Sequence, residues 1–518
     1  MAYALFSPSR RCLASLPSCW RLCAAGRQFG QASSMEDIQE DYSALKKRIA
    51  VMSSRQKIPV DVFVNNELNL SEIKVYGFDY DFTLARYNRN VQQVIYDACI
   101  DYLVKEKKYP EEIRKLEADW DFGIRGLHLD ITNGLLLKID CFRYIQESAV
   151  YRGRQLLPVE KVKDIYGGFH VADKDMNNFY GNSRSVRPRF RHLNDLFSLS
   201  EVALIVNVME YFKDLKFCDP SCIVADINDA IKQAHSRGVF HSQVMNDIGR
   251  FVDRDDGVRK LLQRLSNAGK ELVVITNSSF NFINEGMSYF VGEDWRSFFR
   301  VVIVDARKPQ FHTQEWKPFR AWDVSAGSPL WKRVESLEPN HVYQEGNMKE
   351  LLKMTGWKES EILYFGDDVY GDLADPSLHA GIRTGCIVPE LEHEVEVSNS
   401  EEFVRTVKFL NGLNQLLERL QMHHSNDGAG QALLKEWLLE RDEIRDKLKS
   451  SFNPRFGSLF RTHQNHSYLF NRLARFSDLY TSDLRNLMHY TTDHVFYPRR
   501  AALPHEAQQR LPLPPFME

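Results

Sequence analysis

Short apolar runs that stop abruptly at acids or hydroxyls occur four times in this chain. Ile73–Phe78 ends at Asp79, and Glu271–Ile275 ends at Thr276. Val301–Val304 ends at Asp305, and Ile362–Phe365 ends at Gly366 and Asp367. Runs this short and this apolar suit strands buried on both faces. Helical periodicity lies between some of them. Val258, Leu261, Leu262 and Leu265 fall at i, i+3, i+4 and i+7, and Gly269 sits where that helix would stop. Strands alternating with helices predict a parallel α/β sheet. Ligands bind such sheets at the carboxyl ends of the strands, so the polar clusters are expected to converge on one edge.

The spacing of the runs predicts the organisation. About 190 residues separate the first run from the second. That is too long for a crossover and predicts an inserted domain, turn-rich around Tyr166–Gly168 and basic over Arg184–Arg191. From about residue 400 the pattern becomes helical. Leu413, Leu416, Leu417 and Leu420 share one face, as do Leu433, Trp437, Ile444 and Leu448. The loop His423–Gly430 between them predicts a helix hairpin. The expected divisions are a leader over 1–34, an arm over 35–70, core over 71–90 and 250–399, an insertion over 91–249, and a helical region over 400–518.

Composition narrows the classes. The chain has 518 residues, 43% hydrophobic and 26% charged, enough for a sizeable core. A net charge of -3 provides no basic field for nucleic acid, and no apolar run is long enough to span a bilayer. The first residues differ. Arg10, Arg11, Arg21 and Arg27 precede the first acid, Glu36, which predicts a mitochondrial transit peptide; the alternative is a cytoplasmic protein with a polar tail. Of eight cysteines, Cys12, Cys19 and Cys23 lie in this leader, and the scattered remainder does not form a disulfide framework.

The chemistry starts from Asp79 and Asp81, because carboxylates beside a core are costly to desolvate without a partner. On an extended segment, residues two apart project to the same side. One carboxylate can attack phosphorus and the other can donate a proton and later activate water. Mg²⁺ suits the site, since it is hard, prefers oxygen and is held by carboxylates plus phosphate oxygens. Asp367 is a fitting further ligand. Thr276 offers a hydroxyl and a backbone N–H to phosphate, and Lys308 offers a positive charge to the transferring group. Asp372 reads as an acid at the start of a helix.

The stretches Phe78–Ala85, Ile275–Ser278, Val304–Pro309, Tyr364–Asp372 and Ile387–Leu391 resemble those of the cytosolic purine 5′-nucleotidase family, within the haloacid-dehalogenase-like superfamily. Gly457–Arg461 and Arg475–Tyr480 extend the likeness, which runs from about residue 60 to 505. The resemblance implies a Rossmann-like parallel sheet with a large inserted cap and a helical C-terminal region. It implies Asp79 as nucleophile and metal ligand, and Asp81 as general acid/base with its carbonyl on the metal. Asp367 is then the third Mg²⁺ ligand. Thr276 and Lys308 bind phosphate, with Asn277 and Ser278 in support, and Asp372 orients the region. In that family a cap segment contributes Arg, Asp, His and Lys to substrate recognition. The matching positions here are Asn228, Lys232, His235 and His241, and Phe197 matches a base-stacking aromatic, followed by Ser198 where the family has Asn.

The activity so implied is a Mg²⁺-dependent phosphomonoesterase acting on a nucleoside monophosphate or similar small phosphate through an aspartyl-phosphate. Homo-oligomerisation is also implied. Two alternatives stay open: an inactive member serving as an interaction protein, and a protein phosphatase of the same superfamily.

Overall fold

The computed structural model describes residues 34–50, 61–176, 188–214, 218–236, 238–424 and 427–500. The expected leader lies outside the described residues, apart from Ser34, and so does part of the basic loop Arg184–Arg191.

Ten strands form the main sheet. In chain order they are β1 (Phe63–Val64), β2 (Val75–Phe78), β3 (Glu271–Ile275), β4 (Val301–Val304), β5 (Phe319–Asp323), β6 (Ser328–Arg333), β7 (His341–Glu345), β8 (Ile362–Gly366), β9 (Arg383–Ile387) and β10 (Leu479–Thr481). Their spatial order is β1-β10-β9-β8-β2-β3-β4-β7-β5-β6. The run from β10 to β7 is parallel throughout, with antiparallel strands at both margins. All four expected strands are present, and the first begins at Val75 rather than Ile73.

Side chains alternate between two apolar layers, as a pleat of period two requires. Tyr76, Phe78, Val274, Val302 and Phe365 pack into one layer. Val75, Val273, Ile275, Ile303 and Tyr364 pack into the other. The registers Phe78↔Val274, Phe78↔Phe365 and Ile303↔Ile275 bring the strand ends level. Chain order reverses at β2, which has β3 on one side and β8 on the other. That makes β2 the switch point, outside whose carboxyl end a crevice opens.

The insertion between β2 and β3 contains the helices Asn90–Lys105, Ser198–Tyr211, Pro220–Ser236 and Val239–Asn246. It also contains a five-stranded antiparallel sheet in the order Gln155–Leu156, Ile145–Arg152, Leu135–Ile139, Leu127–Asp130, Phe190–Leu193. After β3 the helix Phe280–Phe290 follows, and the predicted helix before β3 spans Gly257–Asn267.

The chain divides into two compact units, residues 1–55 with 401–446, and 56–400 with 447–518. In the smaller, the helix Met35–Ala50 meets the helix Glu401–His424 and the first part of Gly428–Ser450. Ile38, Leu413, Leu416, Leu417, Leu420 and Trp437 are buried there, and Tyr42 stacks on Trp437 with ring centroids 4.7 Å apart. The arm expected over 35–70 thus splits. Its helix carries Ile38, Tyr42 and Leu45 on one face and needs an apolar partner, while Phe63–Val64 joins the main sheet. The C-terminal region is helical through Ser450, and its last part returns β10 to the larger unit.

Candidate active site

Asp79, Thr276, Asp305 and Asp367 each lie at the end of a core strand, on one edge of the sheet. Asp79 donates its N–H to the Phe365 carbonyl at 2.8 Å, so the β2–β8 pairing carries it one residue past the strand. There Asp79, Asp367 and Asp372 bring one carboxylate oxygen each to within 4.8 Å of one another, and all three are buried. Lys308 Nζ lies 2.9 Å from Asp79 Oδ1 and 2.6 Å from Asp372 Oδ1. Burial disfavours the Lys308 ammonium, but Asp372 and then Asp79 outweigh it and hold it well above the usual lysine range. Burial, then Asp372 and Asp79, hold Asp367 well above the usual carboxylate range. Burial also pushes Asp372 up, against the pull of Lys308.

Tyr364, on β8, completes this centre. Its hydroxyl donates to the Ile275 carbonyl at 2.7 Å and accepts from Lys308 Nζ at 3.1 Å. The ring fits because β2 carries Gly77 opposite it; a Cβ there would lie 2.6 Å from Tyr364 Cδ2.

Asp81 occupies a different environment from the one expected. β2 ends at Phe78, so the extended-strand argument does not reach it. The Tyr80 carbonyl accepts from Thr83, Leu84 and Ala85 N–H, and Phe82 has φ +52°, which closes a tight turn. The Asp81 carboxylate accepts from Tyr87 Oη at 2.7 Å and from Ser278 Oγ at 2.6 Å. Burial, then the charge of Asp79, push it up to about 6, against those two donors.

The loop after β3 is committed differently from the sequence expectation. The Thr276 N–H is taken by the Ile303 carbonyl at 3.0 Å, because the β3–β4 ladder runs one residue further than the strand. Thr276 keeps only its hydroxyl, which accepts from Ser278 N at 3.2 Å and retains its own proton to donate. Asn277 exchanges two hydrogen bonds with the Lys308 main chain, at 3.1 and 2.6 Å. Its side chain therefore braces Lys308, as Ser278 braces Asp81.

The residues that the resemblance matched to substrate recognition all lie in the insertion. Asn228, Lys232 and His235 line one face of the helix Pro220–Ser236 at i, i+4 and i+7. Phe197 packs edge-on against Phe82, with centroids 4.8 Å apart, and meets His235 at 5.4 Å and Phe240 at 5.8 Å. His241 packs against Phe240 and Phe282. Burial lowers His235, and burial followed by the charge of His235 brings His241 down to about 4. Phe197, His235 and His241 therefore share one aromatic cluster, which reaches the turn carrying Asp81 through Phe82. Asn228 belongs elsewhere and accepts from Arg191 Nη1 at 2.8 Å. Lys232 is exposed.

Three contributors escaped the sequence reading: Tyr364 beside Lys308, Tyr87 beside Asp81, and Arg125, which donates to the Asp367 carbonyl. Tyr364 sits inside an apolar strand, and the other two lie in or beside the insertion. Tyr364 and Arg125 have partners distant in the chain, and Tyr87 reaches Asp81, six residues back, only through the turn after Phe78.

Carboxylates meeting a buried ammonium at the switch point of a parallel sheet, with a large insertion between its first two core strands, form the layout that the resemblance to haloacid-dehalogenase-like proteins implied. The chain belongs to the 5′-nucleotidase family, whose profile matches residues 62–508. It is 44% identical over 452 residues to 5′-nucleotidase domain-containing protein 2 of Rattus norvegicus, covering 87% of this chain and 80% of that one. The Homo sapiens protein of that name is 43% identical over 452 residues, covering 87% and 85%. Among solved structures, CbbY from Rhodobacter sphaeroides in complex with phosphate matches over 61% of this chain and 86% of its own, with 12% identity and a TM-score of 0.23.

Proposed function

We propose that this protein is a Mg²⁺-dependent phosphomonoesterase that hydrolyses a nucleoside monophosphate or similar small phosphate through an aspartyl-phosphate. The observation that carries this reading is the trio of buried carboxylates sharing Lys308. Mg²⁺ fits the donor set, which is all oxygen and carries more negative charge than one lysine offsets. Asp79 Oδ1 is buried and faces Lys308 at 2.9 Å, and a carboxylate oxygen with one such partner keeps a lone pair for a cation. Asp79 and Asp367, with the Asp81 main-chain carbonyl, would hold the ion. When bound, it would neutralise phosphate oxygens so that an anionic nucleophile can approach.

The chain's own residues do the rest. The Asp79 carboxylate attacks phosphorus, the P–O bond to the leaving group breaks, and Asp81 delivers a proton to the departing oxygen. An Asp81 raised to about 6 is suited to carry that proton near neutrality. Asp81 then takes a proton from water as it attacks the aspartyl-phosphate, releasing phosphate and restoring Asp79. Lys308 stabilises charge on the transferring group, and the Thr276 hydroxyl donates to a phosphate oxygen. Phe82 and Phe197, half-buried beside Asp81, support a small substrate bearing a flat ring.

Phosphate release from a library of phosphorylated metabolites, with and without Mg²⁺, tests the proposal. Release that depends on Mg²⁺ and vanishes in Asp79→Asn is expected. A blank screen, or release untouched by that substitution, would refute it. The Arg-rich leader supports delivery to mitochondria, and residues 1–34 fused to a fluorescent reporter test this; diffuse cytosolic signal would count against it. The family supports a homo-oligomer, which light scattering on the purified chain would detect.

A further inference from the structure

Arg125 belongs to the insertion, at the turn that enters the strand Leu127–Asp130, yet its guanidinium reaches the end of β8. Nη1 donates to the Asp367 main-chain carbonyl at 3.3 Å, and Nη2 donates to Glu390 Oε2 at 2.8 Å. Glu390 follows β9, so one side chain ties the insertion to two neighbouring strand ends. The Arg125 side chain is 1% exposed and Glu390 30%. A guanidinium this deep loses its hydration, and a buried ion pair seldom outperforms well-packed apolar groups. The Arg125 Nε is buried without an acceptor, so its hydrogen bonding is incomplete as well. Stability alone is therefore a poor reason for Arg125. An apolar side chain could not grip a main-chain carbonyl, nor set a positive charge beside Asp367 and Glu390.

The backbone around Arg125 is held in place. Gly126 has φ +84°, and a Cβ there would lie 2.9 Å from Leu469 Cβ. Its N–H donates to the Leu193 carbonyl at 2.6 Å, at the end of the next strand of the insertion. The following residue, Asn194, donates from Nδ2 to Asp368 Oδ1 at 2.6 Å. Asp368 in turn accepts from Tyr370 N at 3.0 Å and Gly371 N at 3.2 Å, and so caps the turn that leads to Asp372. The insertion thus holds the chain on both sides of the 367–368 peptide.

We propose that Arg125 is a positioning residue for Asp367: from the insertion it fixes the main chain of this carboxylate, so that cation affinity at the acidic trio depends on the insertion being seated. The inference rests on the reading that these carboxylates hold a divalent cation. Arg125 touches the carbonyl of Asp367 and not its carboxylate, so it acts by placing the ligand. Its planar fork spans the carbonyl and Glu390 together, which a lysine cannot do.

The test is Mn²⁺ binding to the full, metal-stripped chain, followed by electron paramagnetic resonance, alongside unfolding midpoints in EDTA. Arg125→Met is expected to weaken Mn²⁺ binding by about 10- to 100-fold, the usual range for an outer partner of a metal ligand. Arg125→Lys is expected to recover part of that loss. Unchanged Mn²⁺ affinity in a folded Arg125→Met protein, with only a lower midpoint in EDTA, would mean a purely structural role and overturn the proposal. If Arg125→Met does not fold, Arg125→Lys decides: weaker binding supports the proposal, and wild-type affinity overturns it. Failure of the wild-type chain to bind Mn²⁺ is a separate result, which removes the cation reading itself.

Discussion

Lys308→Met exposes the electrostatics of the acidic centre most directly. The ammonium lies 2.9 Å from Asp79 Oδ1 and 2.6 Å from Asp372 Oδ1, with its side chain 5% exposed. At an effective dielectric near 20, each contact is worth about 6 kcal/mol before desolvation. Methionine keeps much of the volume and removes the charge. Desolvation cancels a large part of the gain, so breaking the buried pair should cost about 3–5 kcal/mol. The trio would then hold up to three negative charges within 4.8 Å with no ammonium among them. Two things can relieve that. Protons can, because a carboxylate whose folded pKa is raised binds its proton first in the folded state, so stability rises as pH falls through that pKa. Asp372 is already pushed up to about 7 with Lys308 present. The deficit of Lys308→Met should therefore be largest near pH 8 and shrink by up to about 1.4 kcal/mol per pH unit toward pH 6. A divalent cation is the second relief. Urea unfolding in EDTA at pH 8 and pH 6, repeated with Mg²⁺, measures both. Mg²⁺ should stabilise the variant more than the wild type. A variant as stable as wild type in EDTA at pH 8, with no larger response to Mg²⁺, would refute the reasoning.

Asp81→Asn should lower the rate of phosphate release by about 10²- to 10⁴-fold while leaving Mn²⁺ affinity within about threefold, since it removes the proton carrier and spares the trio; steady-state assays and Mn²⁺ titration check this. Lys138 Nζ donates to the buried carbonyls of Phe456 and Ser458 and to the part-buried carbonyl of Arg461, so Lys138→Met should cost about 3–5 kcal/mol in urea unfolding, with no change in Mn²⁺ affinity. His128 and His192 stack with centroids 4.6 Å apart; burial holds His128 well below its usual range and brings His192 down to about 3. Both folded pKa values are depressed, so their neutral burial is fully favourable above about pH 6.5 and is lost as pH falls below it. Replacing both with Phe should flatten the decline in stability between pH 6 and 5 by up to about 2.8 kcal/mol per unit, and an unchanged slope in urea unfolding would refute the assignment.

Much of the acidic centre was legible because its signals are local. A strand buried on both faces must be short and apolar, and an acid or hydroxyl at its end stands out; Asp79, Thr276 and Asp367 were visible in this way. The helix Gly257–Asn267 announced itself through period and a terminal glycine, Gly269. Asn277, Ser278 and Asp81 were visible as residues but not as partners. Their roles depend on which groups the turn after Phe78 and the β3–β4 ladder leave free, and those are decided by hydrogen bonds across strands.

The sequence by itself determined the kind of sheet, the presence of an insertion, and the set of chemical groups at the strand ends. Tertiary structure alone decided that β8 lies beside β2, which gathers Asp367 and Asp372 with Asp79 around Lys308. It alone placed Tyr364 under Lys308, Phe197 and His235 near Asp81, and Arg125 behind Asp367. It alone paired the helix Met35–Ala50 with the helices after residue 400. The physical reason is range. Periodicity and turn chemistry act over a few residues, whereas these contacts join segments up to several hundred residues apart, and only the packed registers of the folded chain select them.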